Sequence, residues 1–575
     1  MCGIHGFCWR DQDKSIDKMI SEAAHRGPDG SGSWGDDHIT LGHNLLSIVD
    51  ETEASSQPWL AENHVMVYNG EIYNYKALRE SINYDFKTNT DTEVMLAGYA
   101  KYGKDFFHNI DGMFAVAIYN KFTKKLLLAR DSNGAKPLYY GYIDNKLAFS
   151  SEISSLLSLG FDRVVSQEGL KHYLYSGMTA GPVTCFKNIS RLVPGQILEI
   201  DLATGIKFST NLNDTPVDIF TGDEKSLPSL IRLNLRKAVE LTLMGRRSFG
   251  VFLSGGLDSS SIVHEMVRSF NILPNTFSTS FSYIKKSSCN EDAEIAKKMA
   301  EEYGFKNTSV EISQDDWVDN IEKAAKVLEE PRQGRSFPVY YLTNKALRKE
   351  GLTITLSGDG GDELFAGYSH YFKFNNFHKR DNAVSKNFGV FRNKSRVINV
   401  KDRFDYLMGW IPKGGLTGDR LNDFMYMDSL NTLSEDFLIR NDKLGMAFGM
   451  EARFPFMCSV FKNFVRGIPS EIKGNLPQKK LLLRSYVGHL PSFIINKKKT
   501  GWRVPTTEWT LNNLAKLGGY PSRFDEYLIS AIKNPVAVDV FEIDSKKESV
   551  VKMSEKRLFS IVMFMAWYNQ FEMRL

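Results

Sequence analysis

Apolar positions run along this chain in two rhythms. Over the first two hundred or so residues, short apolar runs alternate with turns, as in Gly112-Met113-Phe114-Ala115-Val116-Ala117-Ile118-Tyr119, a pattern that suits stacked sheets better than a helical bundle. Residues 203–226 are polar and turn-rich and read as a linker. Residues 226–244 then carry apolar side chains at helical spacing, and beyond them strands and helices alternate. Phe249-Gly250-Val251-Phe252-Leu253 has strand length, and a periodic segment through Ile262, Val263 and Met266 follows it. Residues 276–281, 308–312 and 352–356 read as further strands, and residues 291–303 as a helix stopped by Gly304. Such alternation predicts a parallel sheet that binds ligands at the carboxyl ends of its strands. The pattern therefore predicts two units, residues 1–210 and 226–575.

Composition narrows the class without naming a chemistry. The 575 residues are 42% hydrophobic and 24% charged, and a net charge of +4 gives no reason to expect nucleic acid or an anionic membrane as a partner. No stretch approaches the roughly 18 to 20 apolar residues of a membrane span, and no signal sequence opens the chain, so a cytoplasmic location is expected. Cys2, Cys8, Cys185, Cys289 and Cys458 are scattered without zinc-site spacing and are expected to be reduced thiols. The short basic run Lys497-Lys498-Lys499 is expected to be a solvated face.

Two glycine-rich turns carry the chemistry of the second unit. In Leu253-Ser254-Gly255-Gly256-Leu257-Asp258-Ser259 the glycines let backbone approach a polyanion, while amides at the new helix start point at it. The ordinary Gly-x-x-x-x-Gly-Lys-Ser/Thr loop is absent. Ser357-Gly358-Asp359-Gly360-Gly361-Asp362-Glu363 repeats the design with carboxylates. A carboxylate beside phosphates needs a cation between them, and magnesium takes one or two carboxylates plus phosphate oxygens and water. Asp258 and Asp362 are its candidate ligands. The competing local reading is that Asp362 and Glu363 cap the next helix.

The N-terminus holds a second candidate centre. If Met1 is removed, Cys2 carries thiol and α-amine on one residue, and the amine, with an ordinary pKa of about 8, can activate the thiol. Arg26-Gly27-Pro28-Asp29, Tyr68-Asn69-Gly70-Glu71 and Thr90-Asp91-Thr92-Glu93 follow at increasing distance.

These strings resemble the glutaminase domain of class II glutamine amidotransferases, an N-terminal-nucleophile αββα sandwich. The Ser254 turn resembles the pyrophosphate loop of ATP pyrophosphatases. With Ser357 to Tyr368, Asp442-Lys443-Leu444-Gly445-Met446-Ala447, Glu451-Ala452-Arg453-Phe454-Pro455-Phe456, Lys480-Leu481-Leu482-Leu483-Arg484 and Lys499-Thr500-Gly501-Trp502, nearly the whole chain resembles the glutamine-dependent asparagine synthetase family. The resemblance implies an N-terminal αββα glutaminase and a parallel-sheet α/β ATP-pyrophosphatase unit. It makes Cys2 the nucleophile on the glutamine amide, Asn69 and Gly70 oxyanion donors, and Asp91 and Glu71 substrate ligands. It places ATP at Leu253, Ser254, Gly255, Gly256, Asp258, Ser259, Ser280, Ser357, Gly358 and Asp359, with magnesium at Asp258 and Asp362. Arg335 falls near the acceptor substrate, and Lys480 stabilises the reacting phosphate and acyl oxygens. The implied reaction joins aspartate to AMP and displaces AMP with ammonia from glutamine, in a cytoplasmic enzyme that assembles as a homodimer.

Several positions depart from the family pattern. Relatives have His-x-Arg-Leu-Ser-Ile where this chain has His43-Asn44-Leu45-Leu46-Ser47-Ile48, and that arginine grips the glutamine α-carboxylate. Losing one charge-assisted hydrogen bond of roughly 1.5 to 3 kcal/mol weakens binding roughly 10- to 150-fold unless another cation substitutes. Ser132 and Asn133 replace the usual arginine and leucine, Arg440 and Lys443 exchange lysine and arginine, Gly445 stands for serine, and Cys458 stands for aspartate. Residues 370–425 form a basic, aromatic-rich segment present only in longer members. Three other readings stay open at this stage: a different carboxylate acceptor such as a sugar acid or peptide, an ammonia-dependent synthetase with an impaired glutaminase, and a nucleotide-binding regulatory subunit.

Overall fold

The computed structural model of the chain describes residues 2–48, 56–282, 289–368, 371, 400–473, 480–497, 504–506, 509, 523–543 and 555–575. Its first third is two six-stranded antiparallel sheets stacked face to face. One runs, in spatial order, Ile189–Arg191, Tyr139–Ile143, Lys146–Ser150, Gly3–Phe7, Thr40–Leu45 and Gly30–Gly35. The other runs Lys207–Asn211, Gln196–Asp201, Lys125–Arg130, Gly112–Asn120, His64–Ile72 and Trp59–Leu60.

The alternation of side chains along a strand explains why Gly112–Asn120 reads as an unbroken apolar run. Ala115, Ala117 and Tyr119 face Ile4, Leu41 and Phe149 of the other sheet. Phe114, Val116 and Ile118 point the opposite way, onto Val94, Met95 and Phe106 in and beyond the helix Asp91–Tyr102. Both faces are buried, and each large side chain contributes about 1.5–3 kcal/mol. The helix Ser15–Glu22 covers the first sheet with Ile16 and Met19, so helices lie outside both sheets as the αββα expectation requires.

The second unit is built on a five-stranded parallel sheet in the order Asn307–Ile312, Asn275–Phe281, Phe249–Phe252, Ile354–Leu356 and Glu451–Arg453. Helix Leu227–Thr242 leads into it and helix Leu257–Phe270 follows its central strand. Helix Glu291–Tyr303 ends at Gly304 in the left-handed conformation, φ 76°, as the glycine there predicts. Phe249–Phe252 and Ile354–Leu356 are hydrogen-bonded neighbours, which sets the two glycine-rich turns side by side at the carboxyl end of the sheet.

The linker begins later than its composition suggests. Lys207–Asn211 is an edge strand paired to Gln196–Asp201, and it reads as linker because both its faces are largely exposed. The connection that follows is held down, with Phe220 N–H donating to the Gly467 carbonyl at 2.9 Å. Within residues 370–425, helices Val400–Trp410 and Arg420–Asp428 are described and pack against Ala180. No helix among the described residues is long and apolar enough to cross a membrane, and none of the five cysteines forms a disulfide.

Two candidate active sites and the contacts that join them

Cys2 enters the buried strand pair Gly3–Phe7 and Thr40–Leu45 from its end, and Asn69 lies on a strand of the opposite sheet. Asn69 Oδ1 accepts the Cys2 N–H at 3.0 Å, while Asn69 Nδ2, also buried, has no acceptor among the described residues. An amide fixed by one end with its donor unused is what a developing oxyanion requires. Gly70 has to lack a side chain because a Cβ there would collide with the Met113 carbonyl. Burial pushes the Cys2 thiol up, and the Leu46 N–H, donating to it, pulls it down.

Asp91 sits at the start of its helix and accepts from the Tyr68 hydroxyl at 2.9 Å and the Ile72 N–H at 3.1 Å. Burial nevertheless pushes its carboxyl up to about 6. Burial also pushes up Glu71, and the adjacent Glu451 adds to that, while Arg453 pulls it down from 3.8 Å. Glu451 and Arg453 belong to the parallel sheet, so the second unit sets charges directly against Glu71 of the first. Their role there was invisible in a motif read only as family likeness.

The other site is a cavity of about 230 Å3 at the carboxyl end of the parallel sheet. Leu253, Ser254, Asp258, Ser259, Ser357, Gly358, Asp359 and Asp362 all line it. Helix Leu257–Phe270 starts at Gly256 without a side-chain cap, leaving its first amides available to an anion. Gly255 adopts φ 62°, and a Cβ on it would come within 2.6 Å of Ile295. The two turns touch: a Cβ on Gly358 would meet Ser259 N at 2.9 Å, and one on Gly361 would meet Asp258 Oδ1 at 2.6 Å. Asp359 accepts from the Ser357 hydroxyl and from Asn441 Nδ2 at 2.9 Å. Arg440 stacks 4.2 Å from the Tyr340 ring with its guanidinium 3.9 Å from Asp359. Asp258, Asp359, Asp362 and Glu363 all line the cavity; among the described residues no three acidic, His or Cys side chains converge on one metal position, and one or two carboxylates completed by phosphate oxygens and water is the set that magnesium takes.

Some predicted positions lie elsewhere. The Ser280 hydroxyl accepts from Ser309 at 2.9 Å and does not line the cavity; Phe277, Ser278 and Thr279 do. Arg335 is likewise outside the lining, with Nη1 donating to Thr506 Oγ1 at 3.0 Å. Lys480 opens the helix Lys480–Tyr486, but its side chain, like Lys498, Lys499 and residues 500–502, lies outside the described residues. Lys497 is not a solvated lysine: it pairs with Asp292 at 2.5 Å and donates to the Ser254 carbonyl at 3.1 Å. Tyr340, Thr343 and Tyr368 also line the cavity, and nothing in their local sequence marks them.

Between the sites the units are joined by buried ion pairs. Arg26 donates to the Cys2 carbonyl at 3.0 Å, to Glu152 at 2.6 Å and to Asp442 at 2.8 Å. Lys136 reaches Asp442 at 3.1 Å, and Lys443 reaches Glu152 at 2.7 Å and Glu329 at 2.5 Å. Arg130 and Arg191 both bind Glu435, and Arg191 also binds Glu330. Cys458 precedes helix Ser459–Gly467 without capping it; the cap comes from Asp111 of the first unit, whose carboxylate accepts from Ser459 N at 2.7 Å and Val460 N at 3.1 Å.

Residues 1–209 match a family described as a glutamine amidotransferase domain, and residues 230–523 match the family described as asparagine synthase. Asparagine synthetase [glutamine-hydrolyzing] 1 of Bacillus subtilis (strain 168) is 28% identical over 637 residues, covering 99% of this chain and 96% of its own. Asparagine synthetase [glutamine-hydrolyzing] 3 of the same organism is 28% identical over 541 residues, covering 87% and 86%.

Proposed function

The chain belongs to the asparagine synthase family and is a ligase that forms a carbon–nitrogen bond, and from that premise we propose that it amidates aspartate with ammonia drawn from glutamine, at the expense of ATP. In this reading residues 1–210 are the glutaminase and residues 226–575 the synthetase, in a cytoplasmic homodimer. The observation that supports it most directly is the joining, through buried ion pairs, of a Cys2–Asn69 pair to a carboxylate-lined cavity between two glycine turns.

Cys2 attacks the side-chain amide of glutamine, its proton passing to the α-amine freed by removal of Met1. Asn69 Nδ2, with Gly70, receives the charge that develops on the amide oxygen. Asp91 and Glu71 face the substrate ammonium; the tetrahedral adduct collapses to a Cys2 thioester, expelling ammonia, which takes the proton held by the α-amine and passes to the second site. Water then hydrolyses the thioester to glutamate and free Cys2. There the Ser254–Ser259 amides and the start of helix Leu257–Phe270 hold the phosphates of ATP. The aspartate β-carboxylate attacks the α-phosphorus and pyrophosphate departs, leaving β-aspartyl-AMP; ammonia then attacks the acyl carbon, and AMP departs with asparagine. Lys480 is assigned to the charge on the reacting oxygens. Asp258 and Asp362 would hold magnesium, which when bound neutralises phosphate charge beside the carboxylates.

Purified protein given ATP, magnesium and aspartate is expected to form asparagine and pyrophosphate with either glutamine or ammonium. Product from ammonium alone would remove the glutaminase from the proposal. No product with either donor would defeat the aspartate assignment.

Gly361→Ala tests the contact between the turns. Its added methyl displaces the Asp258 carboxylate, and a shift approaching 1 Å at a reacting centre costs about 100-fold, so kcat/KM for ATP is expected to fall by roughly that factor. An unaltered value would mean that Asp258 does not face the phosphates.

A further inference from the structure

Six cations buried where the units meet, Arg26, Arg130, Lys136, Arg191, Lys443 and Arg453, each have a carboxylate within 3.1 Å. Lys462 and Arg466 do not. They stand four residues apart on helix Ser459–Gly467, hence on one face, and neither makes an ion pair among the described residues. The buried Lys462 ammonium donates to Ser132 Oγ at 3.0 Å and to Asn133 Oδ1 at 2.7 Å, both neutral, and has a third hydrogen to give. Arg466 Nη2 donates to the Gly415 carbonyl at 2.5 Å, and its guanidinium lies 4.0 Å from the Tyr426 ring.

The nearby acids are engaged elsewhere. Asp111 caps this same helix, and Asp131 accepts from the backbone N–H groups of Asn133, Ala135 and Lys136. An aspartate at position 458 would stand one turn before Lys462, the spacing at which opposite charges pair on a helix, and Cys458 removes it. A buried cation without a counter-charge is costly. Burial, with Arg466 adding to it, pushes the Lys462 ammonium down to about 8, the direction expected when the partner is missing.

Both cations face a cavity of about 680 Å3 enclosed by the first unit, the connection over residues 212–222 and helix Ser459–Gly467. The connection is pressed onto the helix: a Cβ on Gly467 would collide with the Asp218 carbonyl, and the Phe220 ring packs edge-on against Phe464, centroids 6.2 Å apart. Phe107, Phe114, Phe220 and Phe464 give the cavity apolar walls. Asp218 also lines it, so two cations and one acid leave a single positive charge to be met. The volume is that of a small-molecule site. Lys462 and Arg466 line a smaller pocket as well, and Glu363 lines both that pocket and the cavity between the glycine turns, which sets the two large cavities one pocket apart.

We propose that the cavity between the units binds a small organic monocarboxylate, its carboxylate received by Lys462 and Arg466 and its apolar body held among the phenylalanine side chains. The site is separate from both reaction centres, and it is complete only when the two units are packed together.

The test is calorimetric titration of the full chain at neutral pH with 3-phenylpropionate, with its uncharged amide and with inorganic phosphate. The acid is expected to bind once per chain and the amide at least ~10-fold more weakly. Lys462→Met is expected to weaken the acid roughly 10- to 150-fold, the range for loss of one charge-assisted hydrogen bond. Asn463→Trp, at an exposed position on the cavity wall, should block binding while keeping the unfolding midpoint of the parent, so the proposal stays testable if Lys462→Met fails to fold. AMP and glutamate, products that would occupy the two reaction centres without turnover, should leave the affinity unchanged. No binding of the acid by the parent, equal binding of acid and amide, unaltered binding by Asn463→Trp, or displacement by AMP or glutamate overturns the proposal. Tighter binding of phosphate than of the acid overturns the carboxylate assignment.

Discussion

Replacing Cys2 by alanine is expected to lower glutamine-dependent synthesis by at least ~10^3-fold and to spare synthesis from ammonium. Removing a nucleophile that acts with its own base and oxyanion donor eliminates the covalent route altogether. Alanine fits the space, because the Cys2 side chain is buried and its anchoring bond to Asn69 is made by the backbone N–H. The ammonium route needs only the cavity of the second unit. Asparagine formed from each donor by the same preparation separates the two routes. Equal loss with both donors would mean that the buried Cys2 segment is structural, and retained glutamine use would remove Cys2 from the chemistry.

Arg26→Met is expected to destabilise the protein by about 3 kcal/mol near neutral pH, the lower end of the ~3–5 kcal/mol cost of breaking a buried pair. Methionine fills the space but leaves Glu152 and Asp442 with one partner fewer, while Lys443 and Lys136 still reach them. The pH dependence has a definite sign. Burial pushes both carboxyls up, and the cations beside them more than reverse this: Arg26 and Lys136 at Asp442, Lys443 and Arg26 at Glu152. Both are therefore held below the ordinary range, so their contribution is present above about pH 4 and is lost as pH falls through the depressed values. Glu329, pushed up by burial to about 7, titrates in both proteins and largely drops out of the difference. Denaturant unfolding of parent and variant should show the gap narrowing below about pH 4. A gap that stays constant through acid would mean that packing, and not charge, is what Arg26 supplies.

Much of this arrangement was legible in the sequence, because period and local chemistry are properties of short stretches. The apolar run before Ser254 had to be a strand, and the glycines after it had to form a turn, whatever surrounds them. Gly304 stopped its helix for the same reason. Where local pattern was ambiguous it misled: Lys207–Asn211 is polar and exposed, like a linker, and only its pairing to Gln196–Asp201 makes it a strand. Lys497 looks like a surface lysine because the sequence of a charged residue does not reveal whether a carboxylate awaits it, here Asp292.

The chain by itself determined its two units, the strand-to-turn frameworks of both centres and the residue types available to them. Only the tertiary structure decided which residues meet. Parallel pairing of Phe249–Phe252 with Ile354–Leu356 brings together turns about a hundred residues apart, so that Gly361 lies against Asp258. Packing of one unit on the other gives Arg453 to Glu71, Asp442 to Arg26, and Asp111 to the helix that Cys458 leaves uncapped. The physical reason is the same throughout. A backbone conformation follows from neighbours in sequence, whereas a charge or a hydrogen-bonding group is satisfied by whatever packing sets within a few ångströms, and those partners can be hundreds of residues away.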